Sequence, residues 1–485
     1  MKILRRYIFG LTLLTVLMMQ AACKKGFLEI EPKGALIARE TKDYEQMLNA
    51  TFLTSAYTAS IYMGDEVAAQ EEYFSGASLR VQRLFKYDDR VYQADELPTE
   101  MTDESGYIRR LYLYNKIINE VMASKEGTDQ QKNAILAEAK VGRAICNFMF
   151  LSDFSTPYNT TTAATDLGIP QLTKADVTLT NFSRLTQKEN YELILTDLTE
   201  AIPNLGVLVH RRKISKLAAY FYLARVHMAM GDYPAAKTDL DAAFLERSKS
   251  NIPLAIYDYN VVLDPDSAGN WFPSNGFYLS GIPPAPNNTE TIYNIEASSF
   301  QFGSANAFVY SPETALSFSA TDKRPVLYDP VELFGAKTFP LEMRRPTLFF
   351  TPIGPSLPDL YLMRAECRAR ANDLAGAVAD LKVLREKRMS ATEANVPASV
   401  AGSQQSLVKF ILKERTREFA FTGLRWLDMR RLSVDPVYNT EIDNRHQMYN
   451  ELGEIVNEYK LEPKRFALKF GERMLKESKG LQENP

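Results

Sequence analysis

One stretch near the C-terminus decides the fold: residues 411–431 read ILKERTREFAFTGLRWLDMRR. An apolar stripe enters this stretch from Leu407, and helical spacing continues it onto three charged side chains, Glu414, Arg415 and Glu418. Charges on a helix face that should be buried cost several kcal/mol each unless they are paired. The stretch therefore predicts a helix that docks through buried ion pairs.

Possible partners are abundant close by, and the nearest are Arg417, Arg425, Asp428, Arg430 and Arg431. We interpret the following residues as a structural ion-pair motif: Glu414, Arg415, Glu418, Arg425, Asp428 and Arg430.

A catalytic alternative uses two of the same residues. Glu414 and Glu418 stand four apart, which puts their Cβ atoms about 5–6 Å apart on a helix. Retaining glycosidases need two carboxyl groups about 5–5.5 Å apart, so a helical glycosidase is an alternative. Catalytic carboxylates flank a substrate from opposite sides, whereas these two leave one helix face among arginines. The structural interpretation is therefore favoured.

The composition is that of a globular protein and excludes several functions. The chain has 485 residues, with 57 Lys and Arg against 60 Asp and Glu, a net charge of −3. This balance lacks the concentrated positive charge that nucleic-acid binding requires. Three cysteines and three histidines are too few and too scattered for a zinc site or a disulfide scaffold. No metal or other cofactor is expected.

The N-terminus reads as a lipoprotein signal. Positive residues at 2, 5 and 6 precede an apolar run of 13 residues, Tyr7 to Met19, which is too short for a membrane span of about 20. Ala21 and Ala22 then precede Cys23, as in the lipobox of bacterial lipoproteins, although Gln20 stands where Leu is usual. We expect residues 1–22 to be removed, Cys23 to carry acyl chains such as palmitate, and residues 23–33 to form a tether.

The rest of the chain reads as mostly α-helical. The helical segments predicted from apolar periodicity are Gln187–Ala201, Lys216–Met230, Pro234–Glu246, Leu360–Ala371, Leu374–Lys387 and Leu407–Phe421. Cys146 and Cys367 fall within helical patterns and are expected to be buried as small apolar side chains.

An internal repeat links two of these helical regions. Gly231-Asp232-Tyr233 and Asn372-Asp373-Leu374 are turns between helices, offset by 141 residues. Each resembles the turn of the tetratricopeptide helix-turn-helix unit. The copies are not adjacent, so the sequence predicts helical hairpins rather than a regular array.

A long insertion separates the two copies. Residues 253–358 hold 14 of the 24 prolines and are rich in aromatic residues. They predict loops with short strands near Thr291–Ala297 and Ala307–Tyr310. The expected organisation is therefore a helical part at 34–252, a ligand-binding insertion at 253–358 and a C-terminal helical part at 359–485.

Together these features resemble the SusD/RagB family of nutrient-binding outer-membrane lipoproteins of Bacteroidetes. The resemblance rests on Cys23 with Phe27-Leu28-Glu29 and Pro32, Arg143-Ala144, Phe148 to Phe154, Tyr191 to Ile202, Asp359 to Glu366 and the 411–431 stretch. It implies a tetratricopeptide-like, SusD-like scaffold that is not an enzyme. It also implies a lipid-anchored protein, facing outward from the outer membrane, that delivers a glycan or similar nutrient to a SusC-like TonB-dependent transporter.

Sugar recognition would use flat aromatic faces with a few polar side chains that orient the hydroxyl groups. The candidate ligand residues are Trp271, Phe272, Phe277 and Tyr278 in the insertion, and Tyr73, Tyr92, Asp65 and Arg80 near the N-terminus. An interaction scaffold at the outer membrane, whose loops bind no small ligand, is the other alternative.

Overall fold

Paired helices form most of the computed structural model, which describes residues 38–56, 59–92, 103–176, 178, 180–271, 282–298, 305–347 and 350–485. The α-helices of the described residues are α1 Thr41–Met47, α2 Glu71–Phe74, α3 Leu79–Phe85, α4 Asp103–Glu120, α5 Asp129–Phe154, α6 Gln187–Ala201, α7 Lys216–Ala229, α8 Tyr233–Arg247, α9 Tyr259–Val262, α10 Pro312–Ser317, α11 Leu357–Arg370, α12 Leu374–Arg385, α13 Ala391–Ala394, α14 Ala398–Ala401, α15 Gln404–Glu418, α16 Leu424–Ser433 and α17 Glu472–Glu477.

Local sequence signals explain several helix starts, although α11 begins three residues before the predicted Leu360 and α15 ends three residues before the predicted Phe421. The bounds of α6 are those predicted, because Thr186 and Glu189 form a capping box at its start. Helix α15 begins three residues earlier than predicted, because the Ser403 hydroxyl accepts a hydrogen bond from the Ser406 backbone N–H and caps it. The mostly α-helical fold class is confirmed.

The repeat forms two helical hairpins, α7–α8 and α11–α12, with matching turns. Gly231 and Asn372 have left-handed backbones, with φ of 79° and 63°. The carboxylates of Asp232 and Asp373 then accept hydrogen bonds from the backbone N–H groups of Ala235 and Gly376, at 3.1 and 3.0 Å. Each Asp caps the second helix of its hairpin, so the two copies share the same backbone conformation at the turn.

Gly231→Ala is expected to destabilise the protein by about 1–2 kcal/mol, because a side chain in the left-handed region clashes with its own backbone. No heavy atom lies within 4 Å of a Cβ added at Gly231, so the loss of stability reports backbone strain and not a clash with neighbouring side chains. Gly206→Ala is the matched control, since its added Cβ is also uncrowded and its φ is not left-handed. Denaturant unfolding of both variants measures the difference, and equal effects would contradict this explanation.

Short strands tie the insertion to both helical parts. The strands of the described residues are β1 Ser55–Ala56, β2 Val67–Gln70, β3 Leu167–Pro170, β4 Arg184–Thr186, β5 Glu296–Ser298, β6 Phe308–Tyr310, β7 Tyr328–Asp329, β8 Arg345–Pro346, β9 Phe350–Pro352, β10 Arg445–Tyr449 and β11 Ile455–Lys460. One four-stranded sheet has the order β11-β10-β2-β6, with β10 parallel to β2 and the other pairs antiparallel. This sheet joins segments that lie more than 370 residues apart in sequence.

The main hydrophobic core contains residues from all three of the parts expected from sequence, the N-terminal helical part, the insertion and the C-terminal helical part. It contains Phe148 from α5, Phe308 from the insertion and Trp426 from α16. A second cluster lies between α11, α12 and α15. Cys146 and Cys367 are buried, as predicted. No helix of the described part of the chain has both the length and the apolar character needed to cross a bilayer.

Candidate functional site

Helix α15 lies between two buried ion-pair networks, one on each side of it. The glutamate network comprises Glu290, Asp322, Arg324, Arg385, Arg388, Glu414, Arg417 and Glu418. The aspartate network comprises Arg225, Asp359, Glu366, Arg370, Arg415, Asp428, Arg431 and Asp435. Consecutive residues of α15, Glu414 and Arg415, therefore belong to different networks.

The glutamate network attaches the insertion to the C-terminal helices. Glu414 is 2.6 Å from Arg417 and 2.7 Å from Arg324, and it also contacts Arg385. Burial alone would raise the pKa of Glu414, but these three guanidinium groups outweigh it and hold that pKa well below its usual range. Glu418 is 2.8 Å from Arg388 and completes the attachment.

The aspartate network joins four helices, because Arg225 on α7 pairs with Asp359 on α11. Arg415 is 2.7 Å from both Asp359 on α11 and Asp428 on α16. Arg431 then links Asp428 to Glu366, at 2.8 and 2.6 Å. Burial opposes ionisation of Asp428, but Arg415 and Arg431 hold its pKa below the usual range. This network fixes the angles at which α11, α15 and α16 pack.

The same geometry removes the chemical basis for catalysis by Glu414 and Glu418. Neither side chain is more than 5% exposed, and both face arginines rather than a cleft. A proton donor needs a raised pKa and access to substrate, and Glu414 has neither. This pair is structural.

Two arginines of the predicted motif have other partners. Arg425 pairs with Asp65 through two contacts of 2.6 Å. Arg430 donates only to backbone carbonyls among the described residues, those of Ser155, Thr156 and Phe466.

Sequence reasoning missed several partners that lie outside the 411–431 stretch. Arg324 comes from the insertion, and Arg388 follows α12. The sequence did hold a signal that Asp359 and Glu366 are buried and need partners, because they are seven residues apart on the apolar face of α11. Nothing local identifies Arg324 or Arg388 as buried.

The Asp65–Arg425 pair lies in the lining of a large polar groove, the first groove. Its described lining is Asp65, Ser311, Glu313, Thr314, Leu316, Ser317, Leu412, Lys413, Thr416, Arg417, Arg425, Thr440, Glu441, Ile442, Asp443 and Arg445. Its volume is about 870 Å³, within the range of small-molecule sites. Acidic and basic side chains balance in number, and none of these lining residues is aromatic. Such a surface offers hydrogen bonds rather than stacking.

Of the predicted aromatic platforms, Trp271 and Tyr92 are buried. Trp271 is 6% exposed and packs against the edges of Tyr257 and Tyr259, at centroid distances of 5.0 and 5.8 Å. Tyr92 is 2% exposed and stacks on Phe154. Neither ring presents an open face. The loop turns Trp271 inward, where it fills a small apolar cluster, and Tyr92 is covered in the core. Aromatic content alone cannot tell a packed ring from a displayed one.

The remaining predicted site residues are scattered. The hydroxyl of Tyr73 bonds to Glu332, and Arg80 is partly buried in the first turn of α3. Asp65 alone among the five candidates that the structure describes lines the first groove. Three candidates lie outside the described residues, namely Phe272, Phe277 and Tyr278, and so does the predicted lipidation site Cys23.

Two family models match the chain. A model described as the SusD family matches residues 357–476, and one described as starch-binding, associating with outer membrane, matches residues 26–228. Together they take in about two thirds of the sequence. A SusD-like protein of Formosa agariphila is 37% identical over 76 residues, a match that spans only 15% of this chain and 15% of that protein.

Solved structures share the fold. A putative sugar-binding protein from Bacteroides vulgatus is similar with a TM-score of 0.68 and 18% identity, over 93% of this chain and 99% of that one. A SusD superfamily protein from Bacteroides thetaiotaomicron has a TM-score of 0.65 at 18% identity, covering 92% and 100%. Surface glycan-binding protein A from Bacteroides uniformis has a TM-score of 0.59 at 14% identity, covering 91% and 99%. The TM-scores establish a common fold, and at these identities they establish no more than the fold.

Proposed function

The chain belongs to the SusD family, and from this we propose that it captures a carbohydrate at the cell surface and delivers it to a SusC-like TonB-dependent outer-membrane transporter. The description of one matching model, starch-binding and associating with outer membrane, favours both the ligand class and the location. Lipidation at Cys23 would hold the protein on the outer face of that membrane.

One observation carries the proposal to particular residues: the preformed polar groove that contains the Asp65–Arg425 pair. The exposed carboxylates of Glu313 and Asp443 accept hydrogen bonds and the exposed side chains of Lys413 and Arg445 donate them, which matches the hydroxyl groups of a sugar. The buried Asp65–Arg425 pair holds the wall of the groove in place. The groove forms on the same α15–α16 scaffold that both ion networks make rigid, so little ordering is needed when a ligand binds. We place the capture of the carbohydrate in the first groove.

Thr440→Trp tests this placement, because Thr440 is exposed and its replacement fills the first groove without disturbing the core. The probe is a panel of malto-, cello- and xylo-oligosaccharides, from disaccharide to heptasaccharide, added to the chain that begins after Cys23. A ligand at 100 times its Kd should add about 2.7 kcal/mol of apparent stability to the native protein. We expect calorimetric binding by the unsubstituted protein and its loss in Thr440→Trp.

Thr199→Trp is the matched control, since Thr199 is exposed on α6 and lies outside the lining of the first groove. Equal binding by Thr440→Trp and Thr199→Trp would contradict the placement. The absence of binding across the panel would contradict carbohydrate capture and favour the interaction-scaffold alternative.

A further inference from the structure

A second groove lies beside the first, across a ridge formed by residues 439–444. Its volume is about 670 Å³, and its other walls come from residues 156–166 and 460–466. Ile442 lines both grooves, so the two adjoin at the ridge. The ridge follows α16, the helix that carries Arg425 and Arg430, after a loop at residues 434–438.

The side chains of the ridge divide between the two grooves. Asp443 and Arg445 line the first groove, whereas Asn444 between them lines the second. Hydrogen bonds hold the end of the ridge in place, because the Asp443 N–H donates to Asp65 at 2.8 Å and the Leu461 N–H donates to the Asn444 carbonyl at 2.7 Å. The ridge is therefore a fixed boundary.

Arg430 holds the walls of the second groove together. Its guanidinium donates to the carbonyls of Ser155 and Thr156, at 2.8 and 3.0 Å, and to that of Phe466 on the opposite wall. Burial lowers the pKa of Arg430 only to about 10, so it stays charged at neutral pH. Burying a charge against carbonyl groups alone costs free energy. The contacts of Arg430 with both walls fix the width of the second groove.

The lining of the second groove suits neutral hydroxyl-rich ligands. Amides and hydroxyl groups both donate and accept hydrogen bonds, as every sugar hydroxyl does. The groups of this kind are Asn159, Asn439, Asn444 and Thr162, and Pro157 and Pro463 add flat apolar surface. The few charged residues of this lining balance in sign.

We infer that the two grooves form one track for an unbranched oligosaccharide that crosses the ridge at Ile442. The inference rests on the proposed function, and it names the ligand class as a linear chain too long for the first groove alone. Capture starts in the first groove, and the second groove adds affinity for longer chains.

Calorimetry with the same three oligosaccharide series tests the track, using Asn444→Trp to fill the second groove and Thr440→Trp to fill the first. Both positions are exposed, so the unfolding midpoints should match that of the unsubstituted protein. We expect affinity to rise with chain length in the unsubstituted protein. Asn444→Trp should lose that rise, with heptasaccharide affinity falling about tenfold or more and disaccharide affinity unchanged.

The outcomes separate this inference from the proposed function. If Thr440→Trp abolishes binding but Asn444→Trp keeps full heptasaccharide affinity, the first groove is the site and the track is wrong. If the unsubstituted protein binds no member of the panel, both proposals fail. If it binds but neither variant changes the affinity, carbohydrate capture stands, and both its placement in the first groove and the track are wrong. Loss of affinity for every chain length in Asn444→Trp would also overturn the track, because that groove would then be the primary site.

Discussion

Replacing Glu414 by Ala is expected to lower the free energy of unfolding by about 3–5 kcal/mol, because the change leaves buried guanidinium groups without their shared counter-charge. Glu414 is fully buried and contacts Arg324, Arg385 and Arg417, which come from three separate segments. Its loss therefore weakens the attachment of the insertion as well as that of α15. Denaturant unfolding at neutral pH measures the effect.

The matched control is Glu477→Ala, which removes an exposed glutamate 2.9 Å from Arg473 on α17. Exposed pairs of this kind contribute about 0–1 kcal/mol. A similar small loss for Glu414→Ala would show that the glutamate network contributes little.

The pH dependence of Glu414 has a definite sign. Its pKa is lowered in the folded state, so its stabilising contribution is complete above the ordinary pKa of 4.5 and is lost as pH falls below that value. The unsubstituted protein should lose stability more steeply with acidification than Glu414→Ala does. Parallel curves below pH 4.5 would contradict ionisation of this group in the fold.

Glu66→Gln is expected to stabilise the protein by about 3 kcal/mol at pH 7, the opposite of the Glu414 result. Glu66 is 1% exposed, and the backbone N–H groups of Glu66 and Phe421 near its carboxyl group do not offset this burial. Burial, with a contribution from Asp65, raises its pKa to about 8, although Arg425 acts in the opposite sense. The side chain is therefore protonated in the fold at neutral pH.

The sign of this effect follows from the raised pKa. Above the ordinary value of 4.5 the unfolded chain ionises while the folded chain stays neutral, so Glu66 costs stability as pH rises from 4.5 to about 8. Glutamine is neutral at every pH and avoids this cost. The gain should be near zero at pH 4 and largest above pH 8, as measured by urea unfolding across that range. A gain of the same size at pH 4 and pH 8 would contradict the explanation, and exposed Glu477→Gln should show no pH-dependent gain.

Glu414 and Glu66 illustrate how far sequence reasoning reaches. Helical spacing placed Glu414 on a buried face, and a buried charge requires partners, so the ion-pair network was predictable. Glu66 lies in a short loop before β2, where no periodic pattern indicates burial. Its protonation therefore depends wholly on the segments packed around it.

Local patterns in the sequence are enough to predict the helical scaffold, the paired turns at Gly231 and Asn372 and the burial of Cys146 and Cys367. These features follow from spacing, capping and backbone preference within a few residues, so the local sequence is enough to specify each of them. Only the tertiary structure decided that Arg324 and Arg388 complete the glutamate network, that Trp271 points inward and that Asp65 lines a groove with Arg425. Those outcomes depend on contacts between residues about 12 to 360 positions apart, which no local pattern encodes.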